Sequence, residues 1–282
     1  MIDTHLKSYT DEEKGSIEKD LQVVRSVCLS NLNERSAGKK PFFIATAGAP
    51  GARKTTILER FLKNNPEFDS AIYLDPDPRA LKFMVHTYYS RSLSPLVAGE
   101  NPSYTVTQKN AYEKWRGGSN YITLKLMEEA FAKRMDIVHG STSTGEHISS
   151  FLTKVKGAGY NVIFLLCSCE DSFRHNAIQY RNNEQKFYQS TPEDAVSKGK
   201  MFPRRMLAYF AYGDELHLYW SDDLATPEQL AAVFKDGKTD IINREAYSKF
   251  IAKYEADRVN LTKEDVEIAS WDQITATYTD RF

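Results

Sequence analysis

Between residues 10 and 36, apolar side chains recur every three or four positions at Ile17, Leu21, Val24, Cys28 and Leu32, which predicts an amphipathic helix. Thr10, followed by Asp11, Glu12 and Glu13, has the form of a capping box opening that helix. After a break at residues 36–40 the period changes, and 41–47 is a short apolar run that predicts a buried strand. A glycine-containing turn and a helix over 55–64 follow at once. The next predicted strand, 70–74, ends in Asp75-Pro76-Asp77-Pro78. A helical region rich in Tyr and Arg fills 79–134, with interruptions expected near 95–102 and at Gly117-Gly118. Strand 136–139, a Ser/Thr/Gly turn and a helix over 146–157 come next. Residues 160–167 form the most continuous apolar stretch, as suits a parallel strand covered on both faces. Helices over 170–186 and 192–211, a strand over 215–220 and polar helices to the end complete the pattern.

Strands alternating with helices predict an α/β fold with a mainly parallel sheet. We expect one domain over 1–282, in which 1–40 supplies an N-terminal helix, 79–134 a helical insertion and 223–282 a helical C-terminal extension. In such sheets ligands bind beyond the carboxyl ends of the strands.

Composition narrows the function classes. The 37 basic and 38 acidic residues leave a net charge of −1, so no global field draws the chain to nucleic acid or anionic lipid. The longest apolar run, 162–167, is far short of the roughly 20 residues of a membrane helix. The first residues have neither a basic nor an apolar leader segment, so a cytoplasmic location is expected. Cys28, Cys167 and Cys169 lack a disulfide or metal-site spacing and are read as reduced thiols.

The candidate chemistry lies at predicted strand ends. Gly48-Ala49-Pro50-Gly51-Ala52-Arg53-Lys54-Thr55-Thr56 follows a strand, opens a helix and nearly fits the phosphate-loop pattern. Successive backbone N–H groups hold triphosphate oxygens in such a loop, so its residues must be small where the backbone wraps the anion. Lys54 would contact the β- and γ-phosphates of ATP, and the Thr55 hydroxyl would help hold Mg²⁺. Arg53 stands where glycine is expected. Either its guanidinium lies beside the phosphates, or its Cβ strains the turn and opens the cradle.

Asp75 and Asp77 would point the same way from an extended backbone, and one could orient and deprotonate a substrate hydroxyl; the alternative is a plain Asp-Pro turn. The stretch from His139 through Ser141 and Ser143 offers hydroxyls either to a polar substrate or to the cap of the next helix. Arg174, Arg181 and Lys186 are candidates for a lid over the transferring phosphoryl group, or for a solvated face. Tyr88, Tyr89, Tyr104 and Tyr112 either stack on a base or sugar or pack internally.

Over residues 8–222 the chain resembles the zeta toxins, P-loop kinases related to polynucleotide and small-molecule kinases. The resemblance is carried by Tyr9-Thr10-Asp11, the 48–55 loop, Leu74-Asp75-Pro76-Asp77 and His139-Gly140-Ser141-Thr142-Ser143. Gly159-Tyr160, Thr191-Pro192 and 215–219 extend it. It implies a three-layer P-loop kinase fold and phosphorylation of a hydroxyl on a small polar substrate, of which UDP-N-acetylglucosamine is the family's characteristic example. ATP and Mg²⁺ are the implied cofactors, and an antitoxin protein is a partner the resemblance allows. It assigns Asp77 the role of catalytic base, Lys54 and Thr55 the phosphate and metal positions, and Arg181 the best lid position. Asp75, His139, Ser141 and Arg174 become candidates for substrate contact. The family has glycine where Arg53 stands, a glutamate at His139 and an arginine at Ser143. Two alternatives stay open: a non-catalytic nucleotide-binding or interaction protein of the same fold, and a nucleic-acid end kinase, which the near-neutral charge disfavours.

Overall fold

A computed structural model describes residues 2–29, 39–97, 103–184, 192–263 and 267–282. Its elements are α1 (Asp11–Leu29), β1 (Phe42–Ala47), α2 (Lys54–Asn64), β2 (Ile72–Leu74), α3 (Ser94–Val97), α4 (Tyr104–Ala132), β3 (Ile137–His139), α5 (Ile148–Gly157), β4 (Asn161–Cys169), α6 (Asp171–Glu184), α7 (Pro192–Tyr212), β5 (Glu215–Ser221), β6 (Gln229–Lys235), β7 (Lys238–Ile241), α8 (Arg244–Thr262) and α9 (Trp271–Thr279). The chain has the expected α/β architecture, with a mainly parallel sheet, a helical insertion and a C-terminal extension that is helical from α8 onward. Its residues group into two compact units.

The first unit comprises Met1–Lys39, Glu67–His139 and Tyr180–Gln189. The capping box predicted for α1 forms: Thr10 N donates to Glu13 Oε2 at 2.9 Å, and Glu13 N to Thr10 Oγ1 at 3.2 Å. Ile17 and Val24 are buried on its apolar face. Among them lies a buried carboxylate, Asp20, which accepts from His86 N and Thr87 Oγ1 at 2.7 and 2.6 Å. That pairing is what permits its burial. Strands β2 and β3 run parallel, with Leu74 opposite His139.

Gly117 and Gly118 do not interrupt the insertion; α4 runs through them. Their role is close approach. A Cβ on Gly117 would lie 3.0 Å from the His5 carbonyl oxygen, and one on Gly118 would lie 3.1 Å from both Ile17 Cδ1 and Met84 Cε. The Tyr9 hydroxyl uses this space, accepting from Gly118 N at 3.0 Å and donating to the Lys114 carbonyl at 2.6 Å. Packing thus overrides the helix-breaking tendency of glycine, a penalty of about 1 kcal/mol per residue.

The second unit comprises Lys40–Pro66, Gly140–Gln179 and Ser190–Phe282. Its strands lie in the order β1-β4-β5-β6-β7; β1, β4 and β5 are parallel, and β6 and β7 are antiparallel. Strand β4 has neighbours on both sides and is buried almost throughout, as its apolar run predicts.

The helical extension opens with a hairpin that the helical expectation misses. Residues 229–241 form β6 and β7, joined at Asp236-Gly237 with φ of 50° and 70°. Two positive φ values make the right-twisted turn that a two-residue hairpin requires. An Asp-Gly pair is the local signal for it. The hairpin is part of the core: Phe234 meets Phe210 at 5.0 Å between ring centres and Tyr278 at 5.7 Å, and Trp271 closes on Phe210 at 5.6 Å. Among the described residues no helix is long and apolar enough to cross a membrane.

Candidate functional site

In the second unit, β1 leads into residues 48–53 and α2 leads out of them. Gly48 has φ 148°, and a Cβ there would lie 2.4 Å from the Cys167 carbonyl oxygen. Gly51 has φ 87°, and its Cβ would lie 2.5 Å from the Arg174 carbonyl oxygen. Neither position admits a side chain. Between and beside them Ala49, Pro50 and Ala52 are buried, so the loop is compact. Gly48 N donates to the Thr142 carbonyl at 3.1 Å, and Ala52 N to the Ala49 carbonyl at 3.3 Å.

The first turn of α2 carries no side-chain cap. This end of α2 is the positive end of the helix dipole, the arrangement that favours a phosphate. Lys54 Nζ reaches across the loop to the Ala49 carbonyl at 2.8 Å. Thr55 and Thr56 are exposed. An exposed threonine hydroxyl is the kind of single ligand that a nucleotide-borne Mg²⁺, which keeps waters and takes few protein ligands, would use. Among the described residues no cluster of acidic, His or Cys side chains forms an all-protein metal cage.

Arg53 takes the strained backbone expected of a side chain at this position. Its backbone is left-handed, φ 55° and ψ 25°, a conformation that glycine adopts freely and a residue with a Cβ does not. Its guanidinium turns to residues 223–228: Nε lies 2.7 Å from Glu228 Oε1, and Nη1 donates to the carbonyls of Asp223 and Thr226 at 3.0 and 2.7 Å.

The hydroxyls after Gly140 lace their loop to β1. Thr46 Oγ1 donates to the Ser141 carbonyl and Ser143 Oγ to the Thr46 carbonyl, both at 2.7 Å. Ser141 Oγ accepts from Ser143 N at 2.9 Å. They do not cap α5, whose cap residue is His147 and has no side-chain bond. Arg174 is buried between the loop and α7: a Cβ on Gly51 would sit 2.6 Å from its Cγ, and one on Gly199 would sit 2.2 Å from its Nη1. Its Nη2 pairs with Asp171 at 2.8 Å, and Nε is buried without a hydrogen-bond acceptor. Burial pushes the Cys167 thiol well up and Cys169 up to about 12, against the opposing pull of Lys54, so both stay protonated.

In the first unit, Asp75 follows β2 and caps a π-helical turn over Pro76–Ala80, its Oδ1 accepting from Asp77 N at 2.9 Å. The extended alternation expected for the two aspartates is therefore broken at Pro76, and they differ in role. Asp75 serves the local turn. Asp77 lies with Oδ1 3.2 Å from Arg116 Nε, an ion pair whose geometry leaves Oδ1 without a hydrogen bond.

Arg116 is held by the Tyr112 hydroxyl at 3.1 Å and Asn120 Oδ1 at 2.9 Å. Burial opposes its charge, but Asp77, Tyr112 and Asp75 together raise its pKa. Burial lowers the pKa of Arg181, with Asp77 and Tyr112 working against it. His139 is pushed down to about 4, chiefly by burial and further by Arg116, so the ring is neutral at pH 7; its Nδ1 lies 3.3 Å from the Leu74 carbonyl.

Of the tyrosines, Tyr88 and Tyr112 are buried, while Tyr89 and Tyr104 are exposed. Lys186 and Thr191 lie outside the described residues. The sequence reading missed Arg116 and Glu228. Arg116 had a faint signal, with Tyr112 and Asn120 four residues away on either side along one helix face. Glu228 had none.

Comparison with known proteins bears on this arrangement. The native AvrRxo1-ORF1:-ORF2 complex has a chain that matches with 16% identity and a TM-score of 0.58, over 96% of this chain and 90% of that one. The same complex with ATP gives 15% identity and 0.59, over 97% and 91%. A toxin–antitoxin structure from the PezAT system of Streptococcus pneumoniae gives 18% identity and 0.49, over 76% and 79%. No curated protein matches the sequence. The sequence model of the zeta toxin family matches residues 27–201, more than half of the 282 residues. The chain belongs to the zeta toxin family.

Proposed function

We propose that this protein is an ATP-dependent kinase that phosphorylates a hydroxyl of a small polar substrate, a nucleotide sugar such as UDP-N-acetylglucosamine being the leading acceptor. The observation that carries this reading is the 48–55 loop, where two glycines admit no Cβ and an uncapped helix start follows. ATP binding is further supported by the ATP complex of the similar AvrRxo1-ORF1:-ORF2 structure. That structure is a two-protein assembly, which supports a protein partner of the antitoxin kind for this chain as well.

In this reading the loop amides and Lys54 bind the β- and γ-phosphates and offset the charge that develops on transfer. Lys54 would exchange its Ala49 carbonyl for phosphate oxygens. Thr55 would ligate Mg²⁺, which neutralises phosphate charge when bound. Asp77 takes the proton of the attacking hydroxyl as its oxygen bonds to the γ-phosphorus and ADP leaves. Arg181 adds positive charge to the transferring group. His139, Ser141, Asp75 and Arg174 remain candidates for positioning the acceptor. A neutral His139 offers a hydrogen bond where the family has a charged glutamate, so the acceptor contact at this position differs in kind.

The test is incubation of the purified protein with ATP, Mg²⁺ and a panel of nucleotide sugars, followed by mass analysis. A product heavier by one phosphoryl group is expected. Intact ATP and unmodified sugars throughout would refute the kinase reading in favour of a non-catalytic protein of this fold.

A further inference from the structure

Arg53 is the loop residue that departs from the family pattern, and its side chain is tied to a segment far along the chain. Its Nε lies 2.7 Å from Glu228 Oε1, and the other carboxylate oxygen lies 2.8 Å from Arg60 Nη1. Arg53 immediately precedes α2 and Arg60 lies within it, and the one carboxylate pairs with both. The Glu228 side chain is only 1% exposed. A carboxylate this buried persists only when it is paired.

The segment before it is folded to receive the guanidinium. Asp223 Oδ1 accepts from Ala225 N at 2.8 Å and Thr226 N at 2.6 Å, which holds the turn whose Asp223 and Thr226 carbonyls take Arg53 Nη1. Two carbonyls thus accept from one guanidinium, and the Glu228 carboxylate stands against the same planar fork as an ion pair without a hydrogen bond. An ammonium lacks the geometry to serve all of them.

A left-handed residue with a Cβ is disfavoured in isolation. We propose that Glu228 is a positioning residue of the phosphate loop: by holding Arg53 it fixes the backbone turn that glycine adopts unaided, and so sets the loop's grip on the nucleotide triphosphate. The grip on nucleotide rests on the ATP-binding reading above; the holding of the loop does not.

The experiment uses the full chain and the variants Glu228→Gln, Arg53→Gly, Arg53→Lys and the double variant Arg53→Gly/Glu228→Gln. Amide hydrogen exchange of residues 48–55 and calorimetric titration with Mg·ATP are the two readouts. Glu228→Gln is expected to speed loop exchange by about tenfold or more and to weaken Mg·ATP binding by a similar factor. The double variant should recover both to within about threefold of wild type, because glycine needs no holder. Arg53→Lys leaves Glu228 in place and should loosen the loop as Glu228→Gln does, which keeps the test decisive if the latter misfolds. Wild-type loop exchange in Glu228→Gln or Arg53→Lys, or no recovery in the double variant, would overturn the proposal. A wild-type protein that ignores Mg·ATP would remove the nucleotide reading and the proposed grip with it, while the exchange data still decide whether Glu228 holds the loop.

Discussion

The 48–55 loop and the Asp75–Asp77 segment both leave the carboxyl ends of parallel strands, yet they are built from different materials. The loop is shaped by its backbone: two glycines without room for a Cβ, and buried small residues between them. The aspartate segment is shaped by side chains, with one carboxylate spent on a cap and the other facing the Arg116 guanidinium. A backbone-built anion site tolerates no added bulk but is little affected by pH. A side-chain-built site tolerates changes of shape but depends on charge.

The largest expected effect tests the charge proposed to grip the triphosphate. Lys54→Ala should lower turnover by at least about a hundredfold, roughly 2.7 kcal/mol of barrier, with the thermal transition little changed. Near-normal turnover from a folded variant would remove Lys54 from the cradle. Asp77→Asn should come next, lowering turnover by about a hundredfold while ATP affinity stays within about threefold of wild type. Asp75→Asn should cost much less, because an amide oxygen can still accept from Asp77 N. If Asp75→Asn proves the more damaging, the two aspartates exchange roles.

Gly51→Ala probes the backbone side of the comparison. Strain at φ 87° and the clash with the Arg174 carbonyl should together cost about 1–3 kcal/mol, read as weaker Mg·ATP binding, lower thermal stability or both. An alanine variant with wild-type behaviour would show that the loop has more room than its geometry indicates.

The smallest effect concerns pH. The folded-state pKa of His139, about 4, lies below its ordinary 6.5, so between these values the unfolded chain binds more protons. The stability of the neutral ring is complete above about pH 6.5 and is lost as pH falls toward 4. Denaturant melts should show a wild-type decline over that window on the order of 2 kcal/mol, absent in His139→Gln. Parallel pH curves for the two proteins would discount the burial of this ring.

The sequence determined the parts of the molecule that are local. The capping box of α1, the apolar run of β4 and the glycine loop between β1 and α2 are each written in adjacent residues. Dihedral preferences, hydrophobic period and backbone access act over a few positions, so they could be read directly. Asp236-Gly237 belongs with them, since its hairpin signal lies in two adjacent residues. What only the tertiary structure decided are the pairings between distant residues. Gly117 and Gly118 are read locally as breaks, and only the packing of Tyr9, Ile17 and Met84 shows why the helix needs them. Arg116 becomes a partner of Asp77 because α4 brings it there. For Arg53 the loop sequence leaves two courses open, and only the fold brings the acceptors of residues 223–228 to its guanidinium. A charge's partner is set by distance in space, and a chain of fixed covalent geometry encodes that distance only once it has folded.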